Sequence, residues 1–199
     1  MGFIAHYGFR VNHYLLTFIF TIMKATILCG SADPDGVTDS MCRSSYAFLS
    51  SRGYQVDLFR LGSMDIGHCR DCDGCTGGKC IIEDDMSALY DSYHGSDILI
   101  LASPIHFSGP SSLIKAAMDR FQPMWHDKGS SHPLMCTALL CGGSEKPNFE
   151  YTERIIKAFC ITCGMNYMGS AKISATDFVV SDVSAIISSH MQGIIPDKG

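Results

Sequence analysis

The stretch DILILASP, Asp97 to Pro104, sets five apolar residues, Ile98 to Ala102, in unbroken succession. A strand with one wet face alternates apolar and polar residues. A continuous run bounded by Asp and Pro is what a strand buried on both faces of a parallel sheet requires. Parallel neighbours are joined by long crossovers, usually helices, so this run predicts helices on either side of it in the chain. Both are there. EDDMSALYDSYHG, Glu83 to Gly95, has helical spacing, with acids placed for a first turn where the helix dipole favours them. PSSLIKAAMDRFQPMW, Pro110 to Trp125, reads as one further helix.

The same alternation continues outward. KATILCG, Lys24 to Gly30, YQVDLFRL, Tyr54 to Leu61, and LMCTALLCGG, Leu134 to Gly143, read as strands. TDSMCRSSYAFLSSRG, Thr38 to Gly53, and FEYTERIIKAFCITCG, Phe149 to Gly164, read as helices, each closed by a glycine. A strand near Met168–Ile173 and a short helix near Val183–His190 complete the pattern. Strands alternating with helices predict an α/β fold, a three-layer, doubly wound, five-stranded parallel sheet in one domain over 23–199.

The chain has 199 residues, 46% of them hydrophobic, enough for one domain with its own core. A net charge of -5 points away from nucleic acid, and no basic run suggests a membrane surface. Residues 1–22 form an N-terminal extension outside the core pattern. Its apolar run, Tyr14 to Met23, is shorter than the roughly 20 residues of a membrane span. Ten cysteines, unevenly spaced in a chain that needs no staples, favour a reducing, cytoplasmic setting and metal or redox chemistry.

Ligands of doubly wound sheets bind beyond the carboxyl ends of the strands. Three loops meet that condition. GSADPDGVTDS, Gly30 to Ser40, is rich in Gly and hydroxyls and opens onto a helix N-terminus, where free N–H groups hold phosphate. It carries neither nucleotide fingerprint. SPIHFSGPSS, Ser103 to Ser112, offers His106 and Phe107 as flat side chains, and CGGSEKPNF lets Gly142 and Gly143 approach a ligand closely.

HCRDCDGCTGGKC, His68 to Cys80, places Cys69, Cys72, Cys75 and Cys80 in a C-x2-C-x2-C-x4-C run. Small Cys-x2-Cys loops gain least from disulfides. Zinc sites favour two pairs across a longer spacer. Three cysteines at successive x2 spacing suit the corners of an iron–sulfur cube, with Gly77 and Gly78 letting Cys80 turn back to the fourth corner. From spacing, zinc and free thiols stay open beside the cluster. Cys29, Cys136, Cys141, Cys160 and Cys163 read as core, His68 as an exposed loop residue, and Lys115, Asp119 and Arg120 as a solvated charged face.

The segments GSADPDGVT, SPIHF, LIKAAMDRF and CGG, in that order and spacing, resemble the flavodoxin-like NAD(P)H-dependent FMN reductases. The cysteine loop followed by EDDM resembles their iron–sulfur flavoprotein branch. The resemblance covers Lys24 to Cys163. It implies strand order 2-1-3-4-5, FMN rather than FAD, and an FMN-dependent oxidoreductase. It sets Ser31, Gly36, Val37 and Thr38 around the phosphate, Pro104, Ile105, His106 and Phe107 along the isoalloxazine edge, and Gly142 and Gly143 at its other end. It also implies a 4Fe-4S cluster exchanging electrons with the flavin, NAD(P)H or a small redox protein as partner, and a homodimer or homotetramer built partly by the third helix. Asp33, Val37 and His106 stand where the family often has Arg, Asn and Tyr. A protein beginning at Met23 is expected to stay soluble and to bind flavin like the full chain; loss of either property, read from solubility and a visible spectrum, contradicts the assignment of 1–22 as an extension.

Overall fold

The structure is a computed structural model that describes residues 23–127, 129–177 and 180–195; the extension 1–22 lies outside them. Its strands are β1 (Lys24–Cys29), β2 (Gln55–Arg60), β3 (Ile98–His106), β4 (Gly109–Pro110), β5 (Met135–Gly142) and β6 (Asn166–Ser174). The helices are α1 (Val37–Ser51), α2 (Met86–His94), α3 (Ser112–Arg120), α4 (Gln122–His126), α5 (Glu150–Thr162) and α6 (Val180–Ile194). Five strands run parallel in the order β2-β1-β3-β5-β6, the predicted order once β4 is set aside. β4 is a short antiparallel return on the end of β3.

The DILILASP run lies at the centre. Ile98, Leu99, Ile100, Leu101 and Ala102 are all fully buried. Because side chains alternate across a strand, Ile98, Ile100 and Ala102 enter the core beneath α1 and α6, whereas Leu99 and Leu101 enter the core beneath α2 to α5. This division is the three-layer arrangement. The cysteines assigned to the core, Cys29, Cys136, Cys141, Cys160 and Cys163, are all buried.

Three details depart from the sequence pattern. The helix expected over Pro110–Trp125 is two, because Pro123 cannot donate to the α3 ladder and restarts the chain in the first turn of α4. The acids expected in the first turn of α2 lie just before it, since α2 begins at Met86 and Asp84 and Asp85 bind the preceding loop instead. The last helix is longer than Val183–His190, because Ile187, Met191 and Ile194 continue its buried stripe against α1.

The outermost strand β6 is interrupted. Its pairing with β5 slips between Cys136 and Ala138, leaving Met168 and Gly169 as a bulge. Gly169 takes φ 88° there, and Thr137 Oγ1 donates to its carbonyl at 2.8 Å. No helix among the described residues is long and apolar enough to cross a membrane.

Gly30 closes β1 where space is least. A Cβ on it would stand 2.8 Å from Ile114 Cβ and 2.9 Å from both the Ala102 carbonyl oxygen and Ser111 Oγ. Gly30→Ala is therefore expected to cost about 1–3 kcal/mol, the range for overpacking; a urea midpoint equal to that of the wild type would contradict this packing.

Candidate functional site

The three loops predicted to bind a ligand do gather on the carboxyl edge of the sheet, and hydrogen bonds at Gly30 and Ser111 join the first two. The Gly30 N–H donates to the Ala102 carbonyl at 2.8 Å. Ser111 Oγ donates to the Gly30 carbonyl at 2.6 Å, and the Ser111 N–H to Ser103 Oγ at 2.9 Å. Ser111 is also the N-cap of α3.

In the first loop, Gly36 precedes α1 in an extended conformation and no side chain caps the helix. Its leading N–H groups are left for an anion, as the macrodipole favours. Asp33 folds back on its own loop: its carboxylate accepts from the Asp35 N–H at 3.0 Å and fills the space where a Gly36 side chain would stand. Thr38 is buried, its hydroxyl against the Cys141 thiol. Beside this loop the buried Asp39 carboxylate binds Arg60 at 2.7 Å and Arg43 at 3.2 Å. Two guanidinium groups against one carboxylate offset part of the negative charge that Asp33 and Asp35 bring to the loop. The sequence reading missed this pair, because Arg60 comes from β2 and meets α1 only after the sheet has formed.

The second loop is a tight hairpin, not an open turn. β3 runs on to His106, and β4 returns from Gly109. Phe107 (φ 52°) and Ser108 (φ 64°) are the two turn residues, both left-handed, in the pattern that Asn-Gly usually supplies. Thr152 Oγ1 donates to the Ser108 carbonyl at 3.1 Å and holds the tip against α5. Pro104 and Ile105 are half-buried, and His106 and Phe107 are exposed, Phe107 completely so. In the third loop the two glycines differ. Pro147 fills the space beside Gly142, while a side chain on Gly143 would meet nothing.

The cysteine loop lies elsewhere. Cys69, Cys72, Cys75 and Cys80 all line one cavity of about 200 Å³, together with Ile82, Arg120 and Trp125. Asp71 (φ 49°), Asp73 (φ 53°) and Gly78 (φ 83°) bend the backbone around it. Burial pushes the Cys75 thiol up, and the nearby Cys80, Cys69 and Cys72 add to that effect. Among the described residues no three His, Cys, Asp or Glu side chains are gathered as ligands of a metal ion. Trp125 is half exposed at the cavity's rim, and His68 is exposed outside it.

The expected charged face on α3 is split. Lys115 and Asp119 pair on the surface at 2.6 Å. Arg120 instead turns inward, 1% exposed, and binds Asp84 through both carboxylate oxygens at 2.6 and 3.1 Å. Burial acts to raise the Asp84 pKa, but hydrogen bonds from Arg120 and from the Gly67 and Met86 N–H groups hold it below the usual carboxylate range. The residues lining the cysteine cavity include none from the three edge loops. Ser111 and Arg120 stand at the two ends of α3, about 13 Å apart at 1.5 Å per residue. The two sites are thus spaced by the length of that helix.

A parallel sheet in this order, flanked by helices on both faces, defines a flavodoxin-like fold. The chain belongs to the NADPH-dependent FMN reductase family, which it matches over residues 23–178. It is 29% identical over 142 residues to an iron-sulfur flavoprotein of Archaeoglobus fulgidus, covering 70% of this chain and 64% of that one. It is 31% identical over 103 residues to an iron-sulfur flavoprotein of Methanocaldococcus jannaschii, covering 51% and 53%. The chain thus spans less than two thirds of the length of either relative. An FMN-dependent NADH-azoreductase from Bacillus anthracis, solved in complex with FMN, shares the fold at TM-score 0.62 and 13% identity, covering 87% of this chain and 98% of that one.

The hairpin makes a direct prediction. A left-handed phenylalanine costs about 1–2 kcal/mol, more than the roughly 0.5–1 kcal/mol of chain entropy that glycine adds. Phe107→Gly is expected to raise unfolding stability by up to about 1 kcal/mol, measured by urea denaturation; a clear loss of stability would show that Phe107 contributes packing that outweighs the strain.

Proposed function

We propose that this protein is an FMN-dependent oxidoreductase in which four cysteines hold a 4Fe-4S cluster that exchanges electrons with the flavin. The observation that carries the reading is that Cys69, Cys72, Cys75 and Cys80 line a single cavity on a sheet whose carboxyl edge presents an uncapped helix start and a hairpin tipped by Phe107. The residues fit FMN. The uncapped start of α1, Ser31, Gly36, Val37 and Thr38 would hold the phosphate, with Arg43 and Arg60 supplying the charge that Asp33 does not. Pro104, Ile105, His106 and Phe107 would border the ring, and the open backbone at Gly143 would face its far side.

The donor set also fits a cluster: four thiols line one cavity, with His126 the one histidine among its lining residues, and the backbone is already curled around the space. Bound FMN supplies one- and two-electron chemistry, and a cluster one-electron chemistry. The chain's own part is positional. The edge loops would hold the phosphate and border the ring, and the cysteine loop gathers the thiols around one cavity, Cys69, Cys75 and Cys80 half-buried and Cys72 exposed. Both relatives named above are iron-sulfur flavoproteins, which supports this reading. The family description points to NADPH as electron donor, and a small redox protein is the alternative.

The second reading, a reductase with FMN but no cluster, draws on the loose thiol arrangement among the described residues. Anaerobic purification with iron, sulfide and flavin analysis separates the two. The expected result is one flavin and four irons per chain, as follows from one FMN and one 4Fe-4S cluster. Cys72→Ala is expected to lose iron and keep flavin. Thr38→Ala is expected to weaken FMN binding by about 1–3 kcal/mol, the range for a hydrogen bond to a charged group. Flavin without iron after anaerobic reconstitution would favour the second reading.

A further inference from the structure

We propose that Arg120 is the positioning residue of the cysteine loop, closing its base and presenting a fixed positive charge to the group that Cys69, Cys72, Cys75 and Cys80 hold, so that it raises that group's reduction potential. The inference rests on the cluster reading above for the identity of the group, but not for the closing of the loop.

The geometry begins with the loop's two stems. Arg120 donates to the Gly67 carbonyl at 2.9 Å and to the Ile82 carbonyl at 3.2 Å. Gly67 stands two residues before Cys69, and Ile82 two residues after Cys80. One guanidinium therefore ties together both ends of the segment that carries all four thiols. Asp84 repeats the tie from the other side, since it binds Arg120 and also accepts the Gly67 N–H at 2.9 Å. A second acid extends it: Asp85 Oδ2 accepts the Asp65 N–H at 2.7 Å, and the Asp85 N–H donates to the Asp65 carbonyl at 3.0 Å. The stems are thus clamped by protein groups alone, before any metal binds.

The charge is placed as well as the shape. Arg120 lines the same cavity as the four cysteines, and the Cys80 thiol lies against its guanidinium. Four of the bonds its N–H groups can make go to Asp84, Gly67 and Ile82. Nε is buried and finds no hydrogen-bond partner among the described residues. A buried donor without an acceptor is unfavourable, and a thiolate in the cavity would supply that acceptor. Hydrogen bonds and net charge at the sulfurs are among the main determinants of cluster potential. A cation held in a low-dielectric wall stabilises the reduced, more negative state. Asp84 opposes it, so the two charges are coupled in sign.

That coupling supplies the test. Potentials are measured on reconstituted protein for the wild type, Arg120→Gln, Arg120→Lys and Asp84→Asn, with circular dichroism to establish that each is folded. Arg120→Gln removes the cation and leaves Asp84, so the oxidised-to-reduced ratio at fixed potential is expected to rise about tenfold, a shift of about 59 mV to the negative for one electron. Asp84→Asn leaves the cation unopposed and is expected to shift the potential the other way. Arg120→Lys keeps the charge and is expected to hold the potential while losing iron occupancy, because a point ammonium cannot form the bidentate fork. Shifts in the same direction for Arg120→Gln and Asp84→Asn, or no shift in either, would overturn the charge assignment.

The clamp is tested separately on iron-free protein by amide hydrogen exchange over 65–86. Protection at Gly67 and Met86 in the wild type and its loss in Arg120→Gln is the expected result. Equal exchange in both would overturn the clamp. A wild type that takes up no iron would overturn the cluster reading and the potential effect with it, and would leave the exchange result as the decision on the clamp.

Discussion

The buried pair of Arg120 and Asp84 is the interaction on which the organisation of the cysteine loop depends. Burying two charges costs several kcal/mol per ion, and their attraction offsets this only when geometry is good and the remaining donors are satisfied. Here the fork is bidentate, two carbonyls take further N–H groups and the carboxylate takes two backbone N–H groups besides, so that of the guanidinium donors only Nε lacks a partner among the described residues. A pair of well-packed apolar side chains could fill the same space with less desolvation. It could not hold Gly67 and Ile82 in register. The pair therefore specifies the loop's shape more than it adds to stability.

Helix α3 connects that loop to the carboxyl edge of the sheet. At one end Ser111 caps the helix and bonds to Gly30 and Ser103, in the loops proposed to hold FMN. At the other end Arg120 closes the base of the cysteine loop, and Tyr90, from α2, donates to the Arg120 carbonyl. Ile114, Ala117 and Met118 bury the face between them in the sheet's second core. A rigid, nine-residue element thus sets the spacing between the carboxyl-edge loops and the cysteine loop, which the chain visits far apart in sequence.

The fold was legible because its signals are local. An unbroken apolar run such as Ile98–Ala102, or a helical stripe closed by Gly53 or Gly164, needs no partner to be recognised. The edge loops were legible for the same reason, and their gathering on one edge of the sheet followed from topology. What escaped the sequence depended on long-range pairing. Arg120 sits in a charged triplet with Lys115 and Asp119, and nothing in the spacing distinguishes the one residue that turns inward. Asp84 and Asp85 look like dipole acids until the loop before them is placed. Asp39 and Arg60 meet only across the β1–β2 pair. The hairpin tip was hidden because Phe-Ser is not a sequence that announces two left-handed residues.

The bulge in β6 has a consequence for how the molecule meets copies of itself. β6 ends the sheet, and an unbroken outer strand offers a row of unpaired N–H and C=O groups to any other extended chain. Met168 and Gly169 break that row, and Thr137 fixes the break from within the sheet by binding the Gly169 carbonyl. A strand from another molecule cannot stay in register past that point, so growth of the sheet from molecule to molecule is disfavoured on this side. The kink guards against fibrous association while leaving the helical faces free for ordered contacts.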